Sequence, residues 1–320
     1  MRGRAKPANM RFVKRKKMDV SIIYVNYKTA ALVLDSIRTV KEKTAGVTYE
    51  IIVVDNGSAD GSVEKIRNAY PDVRLLEAGG NLGFGRANNL GVQVAQGTAL
   101  FFLNPDTLLV NNAVGILFRY LAGEPETGAC GGNLTDAAGK PVNSFGRFFP
   151  SLYEEFLSAF YIERQPWRAR KSVHYNYTGR PLPVASVVGA DLMVKRSVLD
   201  ETGLFSPDFF MNFEETELCF RIVRAGYGVA SVPEARIIHL EGQSDYADAS
   251  RVQRYLEGQY VFFGKRYGKK GAERLYRLSA FKCGLRACLA ALLGNARKKA
   301  YWEMKKETNK QVFQRYTSGK

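Results

Sequence analysis

Three carboxylates fall within four residues in the run Phe209-Phe210-Met211-Asn212-Phe213-Glu214-Glu215-Thr216-Glu217. Like charges that close repel one another unless a helix N-terminus, a cation or hydrogen-bond donors stabilise them. The cluster therefore either caps a helix or supplies a general base for a hydroxyl, with its neighbours orienting that base. Asn104-Pro105-Asp106 follows an apolar run and sets a carboxylate on a proline-stiffened loop. Such a loop is an ordinary turn or a hard-oxygen site for Mg²⁺ or Mn²⁺. His239 is one of two histidines and closes the apolar run Ile237-Ile238, where an imidazole could be structural or could ligate the same cation. His174 has no comparable context. Asp55-Asn56-Gly57-Ser58 offers a carboxylate and an amide after Val53-Val54, which as spacing alone also describes a well-capped turn.

These residues need a scaffold that delivers them to one place. Val20–Val25 and Glu50–Val54 are short β-branched runs flanking an amphipathic stretch from Thr29 to Lys43, a βαβ pattern. The runs are nearly all apolar rather than alternating, as parallel strands covered on both faces require. A helix over Ser62–Tyr70, a strand over Val73–Glu77, a helix over Gly85–Gln96 and a strand over Ala99–Leu103 continue the alternation. The pattern predicts an α/β fold with a mostly parallel central sheet and helices on both faces. Ligands of such sheets sit beyond the carboxyl ends of the strands. Asn26, Asp55 and Asn104–Asp106 are expected there. Residues 145–183 read as a long irregular excursion. The pattern resumes with a strand running from Val184 through Val194, a helix near Ser197–Thr202, an acidic helix Glu214–Ala225 and a strand Gly228–Val232. Basic helices are expected over Arg251–Arg266, Gly271–Gly294 and Ala296–Gln314.

Composition separates the ends from the middle. The 320-residue chain has a net charge of +16. Residues 1–19 carry eight Lys/Arg against one Asp, and residues 251–320 carry eighteen against four Glu, which leaves the middle at −5. We divide the chain into a basic tail (1–18), a catalytic domain (19–245) and a basic helical region (246–320). A nucleic-acid binder concentrates Lys and Arg on its folded domain, so no nucleic-acid partner is expected. Basic flanks around an acidic domain suit an anionic membrane leaflet. No stretch reaches eighteen apolar residues and no secretory h-region precedes the first strand. The four cysteines form no CxxC pair. A cytoplasmic protein with reduced thiols, peripheral on the inner face of the cell membrane, is the expectation.

Taken in order, Ser21–Tyr27, Val54–Ser62, Asn81–Gly91, Phe102–Thr107, Gly189–Asp191 with Phe209–Arg221, and His239–Ser244 resemble the family 2 glycosyltransferases of GT-A fold. Within these, the resemblance is to the branch of bacterial rhamnosyltransferases of cell-surface polysaccharide assembly. It implies an inverting, metal-assisted transfer of one sugar from a nucleotide-sugar donor to a hydroxyl of a lipid-linked or other glycan acceptor. From the branch alone the donor would be dTDP-rhamnose, and next a UDP-sugar. It further implies that Asp55 meets the donor base, that Asn26, Tyr27, Asn56 and Asn104 line the nucleotide site, and that Arg86 faces the diphosphate or helps close the site. Asp106 corresponds to the last carboxylate of the family's Asp-x-Asp motif, with Asn104 at the first position, so His239 could complete the metal's coordination. Glu215 falls at the base position, with Glu214 as its competitor.

Two rival functions are a nucleotidyltransferase acting on sugar phosphates and a nucleic-acid binder using the basic ends. The first would carry a glycine-rich basic loop after the first strand, where this chain has Asn26-Tyr27-Lys28. A processive synthase of the same superfamily would carry a Gln-x-x-Arg-Trp motif, absent here. The basic helices, with Lys265, Arg266, Lys269, Lys270, Arg274, Arg277, Lys282 and Arg286 among Tyr, Leu and Phe, either cover the catalytic domain with a solvated outer face or, the preferred expectation, dock on membrane. They could also pair subunits into a homodimer.

Overall fold

The computed structural model describes residues 18–160, 174–240 and 249–319. The basic tail up to residue 17, the middle of the excursion and Glu241–Ser244 of the last motif lie outside the described residues. Four strands, β1 (Met18–Asn26), β2 (Tyr49–Asp55), β3 (Arg74–Glu77) and β4 (Gly97–Leu103), run parallel in the order β3-β2-β1-β4. Between them lie α1 (Ala30–Lys43), α2 (Ser62–Ala69) and α3 (Phe84–Val94). β1 shows why its sequence is a continuous apolar run. Successive side chains of a strand point to opposite faces, and here Val20, Ile22 and Tyr24 enter one core while Ile23 and Val25 enter the other. The first core is closed by α1 and by α4 (Ala113–Gly123).

The other half of the sheet is mixed. β5 (Thr107–Leu109) and β6 (Thr127–Thr135) flank α4. After them come β7 (Phe145–Gly146), α5 (Leu152–Ala159), β8 (Leu182–Pro183), β9 (Ser186–Val187), β10 (Asp191–Lys195), α6 (Arg196–Thr202), α7 (Glu214–Arg224) and β11 (Gly228–His239). The order continues β4-β10-β6-β11-β5, with β10 antiparallel to both its neighbours and β5 antiparallel to β11. The segment between residues 107 and 144 carried no sequence prediction. The expected strand from Val184 through Val194 is two short strands, β9 and β10, with a turn between them. The second core is closed by α3, α6 and α7.

The antiparallel insertion of β10 has a consequence for function. It brings the start of β10 to the end of β4, with Asp191 opposite Leu103. The end of β11 meets the start of β5, with His239 opposite Thr107. The motifs around residues 104–106, 189–191 and 239 therefore share one edge of the sheet.

The C-terminal region is α8 (Ala249–Leu292), interrupted at Gly268 (φ +69°), followed by α9 (Ala296–Ser318). Its first half is amphipathic for an internal reason. Val252, Leu256, Tyr260, Phe262 and Phe263 form a third core with Phe209 and Phe213, the aromatics that precede α7. Burying each such side chain contributes roughly 1.5–3 kcal/mol, which holds α8 against the sheet domain. No described helix is long and apolar enough to cross a membrane. Cys130, Cys219 and Cys283 are buried and Cys288 is exposed, all as free thiols.

Candidate active site

The Asn104–Asp106 loop is tied down on both sides. The Asn104 N–H donates to the Ala190 carbonyl at 2.9 Å, and the Leu240 N–H donates to the Asp106 carbonyl at 2.8 Å. The Thr107 hydroxyl closes the turn on the Asn104 carbonyl at 2.7 Å. This fixes the Asp106 carboxylate, whose Oδ1 lies 3.3 Å from Nε2 of the buried His239. A carboxylate and an imidazole side by side fit a divalent cation of the Mn²⁺ type, which accepts both oxygen and nitrogen donors. Among the described residues no three or more His, Cys, Asp or Glu are grouped so as to hold a metal ion by themselves.

Asp106 and His239 line a cleft of 670 Å³ together with Asn104, Gly189, Glu214 and Glu215. The structure sorts the three clustered carboxylates. Glu217 is paired with Arg221 at 2.9 Å, one turn along α7, and that guanidinium also binds the carbonyls of Thr202, Gly203 and Leu204. Glu217 is thus a structural acid. Among the described residues Glu214 and Glu215 have no such cation. Burial pushes both carboxyls above the usual carboxylate range, and the charge of Glu215 pushes Glu214 further. Glu214 is 5% exposed, and its Oε2 has no hydrogen-bond partner among the described residues. Glu215 is half-buried, takes a hydrogen bond from the Thr216 hydroxyl at 3.3 Å, and lies against Gly189.

The turn that presents this pair is unusual. Asn212 and Phe213 both have positive φ, +72° and +70°, a region that non-glycine residues enter at a cost of order 1 kcal/mol each. It is held from two directions. The Phe84 N–H donates to the Phe210 carbonyl at 3.0 Å. A Cβ on Gly83 would stand 2.2 Å from that carbonyl oxygen, so only glycine allows the approach. From the other side α8 brings Gly258 against the Asn212 carbonyl and Tyr255 against the Phe213 ring, with centroids 5.1 Å apart.

Asp55, Asn26 and Asn56 occupy the same edge of the sheet but do not line the cleft. Asn26 and Asp55 are register partners at the ends of β1 and β2. The Asp55 carboxylate accepts from Asn26 Nδ2 at 2.7 Å and from the Ser58 hydroxyl at 2.6 Å. Asn56 accepts from the Leu82 N–H at 2.8 Å and donates to Asn81, which orders the loop leading to α3. Tyr27 is 42% exposed at the end of β1. Arg86 does not reach the cleft either. Its Nε and Nη2 both donate to the Pro207 carbonyl, fastening α3 to the loop before the acidic turn.

Sequence reading missed three lining residues, Arg251, Arg254 and Tyr255 of α8. Their spacing of three and four places them on one helix face. That signal was available, but sequence shows a basic helix face without showing what the face meets. It also missed Asp191 as a site neighbour. The Asp191 carboxyl is fully buried beside Gly132, whose N–H it accepts, and desolvation pushes its pKa well up.

Known proteins resemble this chain in sequence and in fold. The family model described as "Glycosyl transferase family 2" matches residues 21–202. N-acetylglucosaminyl-diphospho-decaprenol L-rhamnosyltransferase of Mycobacterium tuberculosis (strain ATCC 25618 / H37Rv) is 30% identical over 233 residues, 68% of this chain and 75% of that protein. Rhamnosyltransferase WbbL of Escherichia coli (strain K12) is 26% identical over 199 residues, 60% of this chain and 72% of that protein. In fold, the chain is similar to the mannosyltransferase PcManGT from Pyrobaculum calidifontis, solved with GDP-Man and Mn²⁺. The TM-score is 0.58 at 16% identity, covering 94% of this chain and 87% of that one. With six motifs in order, a mixed sheet of matching fold and a family match over more than half its length, the chain belongs to glycosyl transferase family 2 and is a rhamnosyltransferase-like glycosyltransferase.

Proposed function

We propose that the chain moves a single sugar from a nucleotide-sugar donor to a hydroxyl of a lipid-linked glycan, with inversion at the anomeric carbon. The observation that carries this is the meeting of Asp106 and His239 with the Glu214–Glu215 pair in one cleft. Glu215 is the base: it is the more accessible of the two, while Glu217 is committed to Arg221. A carboxylate whose burial raises its proton affinity is a better acceptor for a hydroxyl proton than a solvated one. Inversion asks for one carboxylate on the attacking face, whereas a retaining double displacement asks for a second as nucleophile. Asp106 and His239 would hold Mg²⁺ or Mn²⁺, which when bound supplies electrostatic stabilisation to the departing diphosphate. The nucleoside would lie toward Asn26, Tyr27 and Asp55, at the ends of the adjacent strands. The donor sugar is read as rhamnose, the sugar in the names of the two relatives, and its carrier as dTDP, with a UDP-sugar next, from the branch resemblance alone. Replacing Glu215 by Gln is expected to lower transfer by about 10²-fold or more while donor binding is retained. Near-normal turnover by that variant would remove Glu215 from the mechanism.

We also infer docking on the inner, anionic membrane face, though on a narrower surface than the basic sequence suggests. Lys265, Arg266, Lys282 and Arg286 are engaged by Asp208, the Pro150 carbonyl, Glu155 and the Ser158 carbonyl respectively. Lys269, Lys270, Arg274 and Arg277 remain exposed. Beside the engaged lysine, Phe156, Phe160 and Phe281 form an exposed aromatic cluster, with ring centroids 5.3 and 6.0 Å apart. Exposed aromatics with basic neighbours suit an anionic interface. Binding to vesicles containing phosphatidylglycerol should weaken with salt and with neutralisation of the four exposed cations. Equal binding to neutral vesicles would contradict the docking.

A further inference from the structure

Two guanidinium groups line the cleft, and the transfer step described above gives them no task. Arg251 and Arg254 stand three residues apart near the start of α8, so the helix sets them side by side on one face. Their positions relative to Glu214 and Glu215 are fixed, because α8 is packed onto the acidic turn through Gly258 and Tyr255. Burial holds the Glu214 and Glu215 carboxyls up, and Arg251 is exposed with a partner of its own. Arg254 has no ion pair or hydrogen bond among the described residues. Arg266, further along the same helix, shows what a structural arginine looks like here. It donates to the Pro150 carbonyl and lies over Phe149, Phe220 and Tyr267. A half-buried guanidinium kept out of such a network and turned into a cleft is matched to an anion. Its planar fork of N–H donors complements phosphate oxygens in pairs.

We propose that Arg251 and Arg254 form a diphosphate clamp, gripping a diphosphate ester in the cleft from the α8 side. The inference rests on the glycosyl-transfer reading of this cleft and extends it by assigning the basic C-terminal region a part in substrate recognition. Both substrates of that reaction carry the required chemistry: the nucleotide-sugar donor and a sugar acceptor borne on a lipid diphosphate. The clamp therefore predicts a loss on one of two arms.

The test uses the full chain and the variants R254A, R254K and R251A/R254A. One arm measures Kd for nucleoside diphosphate and for inorganic pyrophosphate by calorimetry with Mn²⁺. The other measures KM for a soluble short-chain prenyl-diphosphate sugar as acceptor. Loss of charged hydrogen bonds to phosphate should raise one of these constants about ten-fold or more in the double variant. A rise in nucleoside diphosphate Kd places the clamp on the donor, and a rise confined to acceptor KM places it on the lipid diphosphate. R254K keeps the charge and the stem, so it reads the contribution of the fork even if the alanine forms are unstable, and it should recover only part of the affinity. Values within two-fold of wild type on both arms overturn the clamp while leaving the transferase reading intact. Failure of the wild type itself to bind any nucleoside diphosphate overturns that reading, and the clamp with it.

Discussion

Glu214 and Glu215 differ from Glu217 only by position on α7, yet the helix gives them opposite work. The i,i+4 spacing hands Glu217 to Arg221, while the first turn, beside the cleft, leaves the other two without a cation among the described residues. Keeping such a pair costs stability in a pH-dependent way. Because the folded Glu214 carboxyl is raised above its ordinary value of 4.5, the native state holds its proton more tightly than the unfolded chain does. The penalty is absent below about that pH and grows as pH rises toward the folded value. Glu214→Gln should therefore melt higher than wild type at neutral pH, by about 1 kcal/mol or more, with the gain vanishing in mild acid. Thermal melts across pH 4 to 8 check this, and a gain that grows on acidification would contradict it. At this scale much was legible in the sequence. Asp106 and His239 were expected on one edge because each follows an apolar run, and the structure sets them side by side in one cleft. Asp55 and Asn56 were harder to place, since a carboxylate that binds a nucleotide and one that closes a turn through Ser58 have the same neighbours in sequence.

Among elements, β1, β2 and β4 were readable because strands buried on both faces leave uninterrupted apolar runs. β6 was not, and its structure explains why. The strand is Thr-Gly-Ala-Cys-Gly-Gly-Asn-Leu-Thr, and its glycines are demanded by crowding: a Cβ on Gly132 would stand 2.4 Å from the Ala235 carbonyl oxygen. The two helices expected over Arg251–Arg266 and Gly271–Gly294 are the two halves of α8 about Gly268, but whether they meet a membrane or cover the domain stayed open, since basic periodicity is visible in sequence and the partner of the apolar face is not. The contact at Gly258 makes the scaffold role of α8 testable. Alanine in place of a helix-interior glycine ordinarily stabilises by about 0.5–1 kcal/mol. Here the added Cβ would come 2.4 Å from the Asn212 carbonyl oxygen, so Gly258→Ala should destabilise instead, by about 1–3 kcal/mol. It should also lower kcat more than it raises donor KM, because the displaced turn carries Glu214 and Glu215. A more stable, fully active variant would show that α8 merely covers the domain.

At the scale of the molecule, the sheet domain supplies Asp106, His239 and the Glu214–Glu215 pair, to which the proposed function gives the cation and the base, and the basic C-terminal region supplies a third wall of the same cleft. Charge segregation along the chain thus becomes charge juxtaposition in space, with carboxylates from the sheet and α7 and arginines from α8. That arrangement fits an anionic substrate met by both a cation and guanidinium groups. The central claim is that the cleft holds a nucleoside diphosphate together with a divalent cation. The most direct measurement is thermal unfolding of the wild type and Asp106→Asn with a panel of nucleoside diphosphates, each with and without Mn²⁺, since a ligand that binds only the folded state raises its stability by mass action. The account predicts that at least one nucleoside diphosphate raises the wild-type melting temperature only when Mn²⁺ is present, and that Asp106→Asn loses that increment. A protein indifferent to every nucleotide and cation pair, or an Asp106→Asn variant protected as well as the wild type, would contradict it.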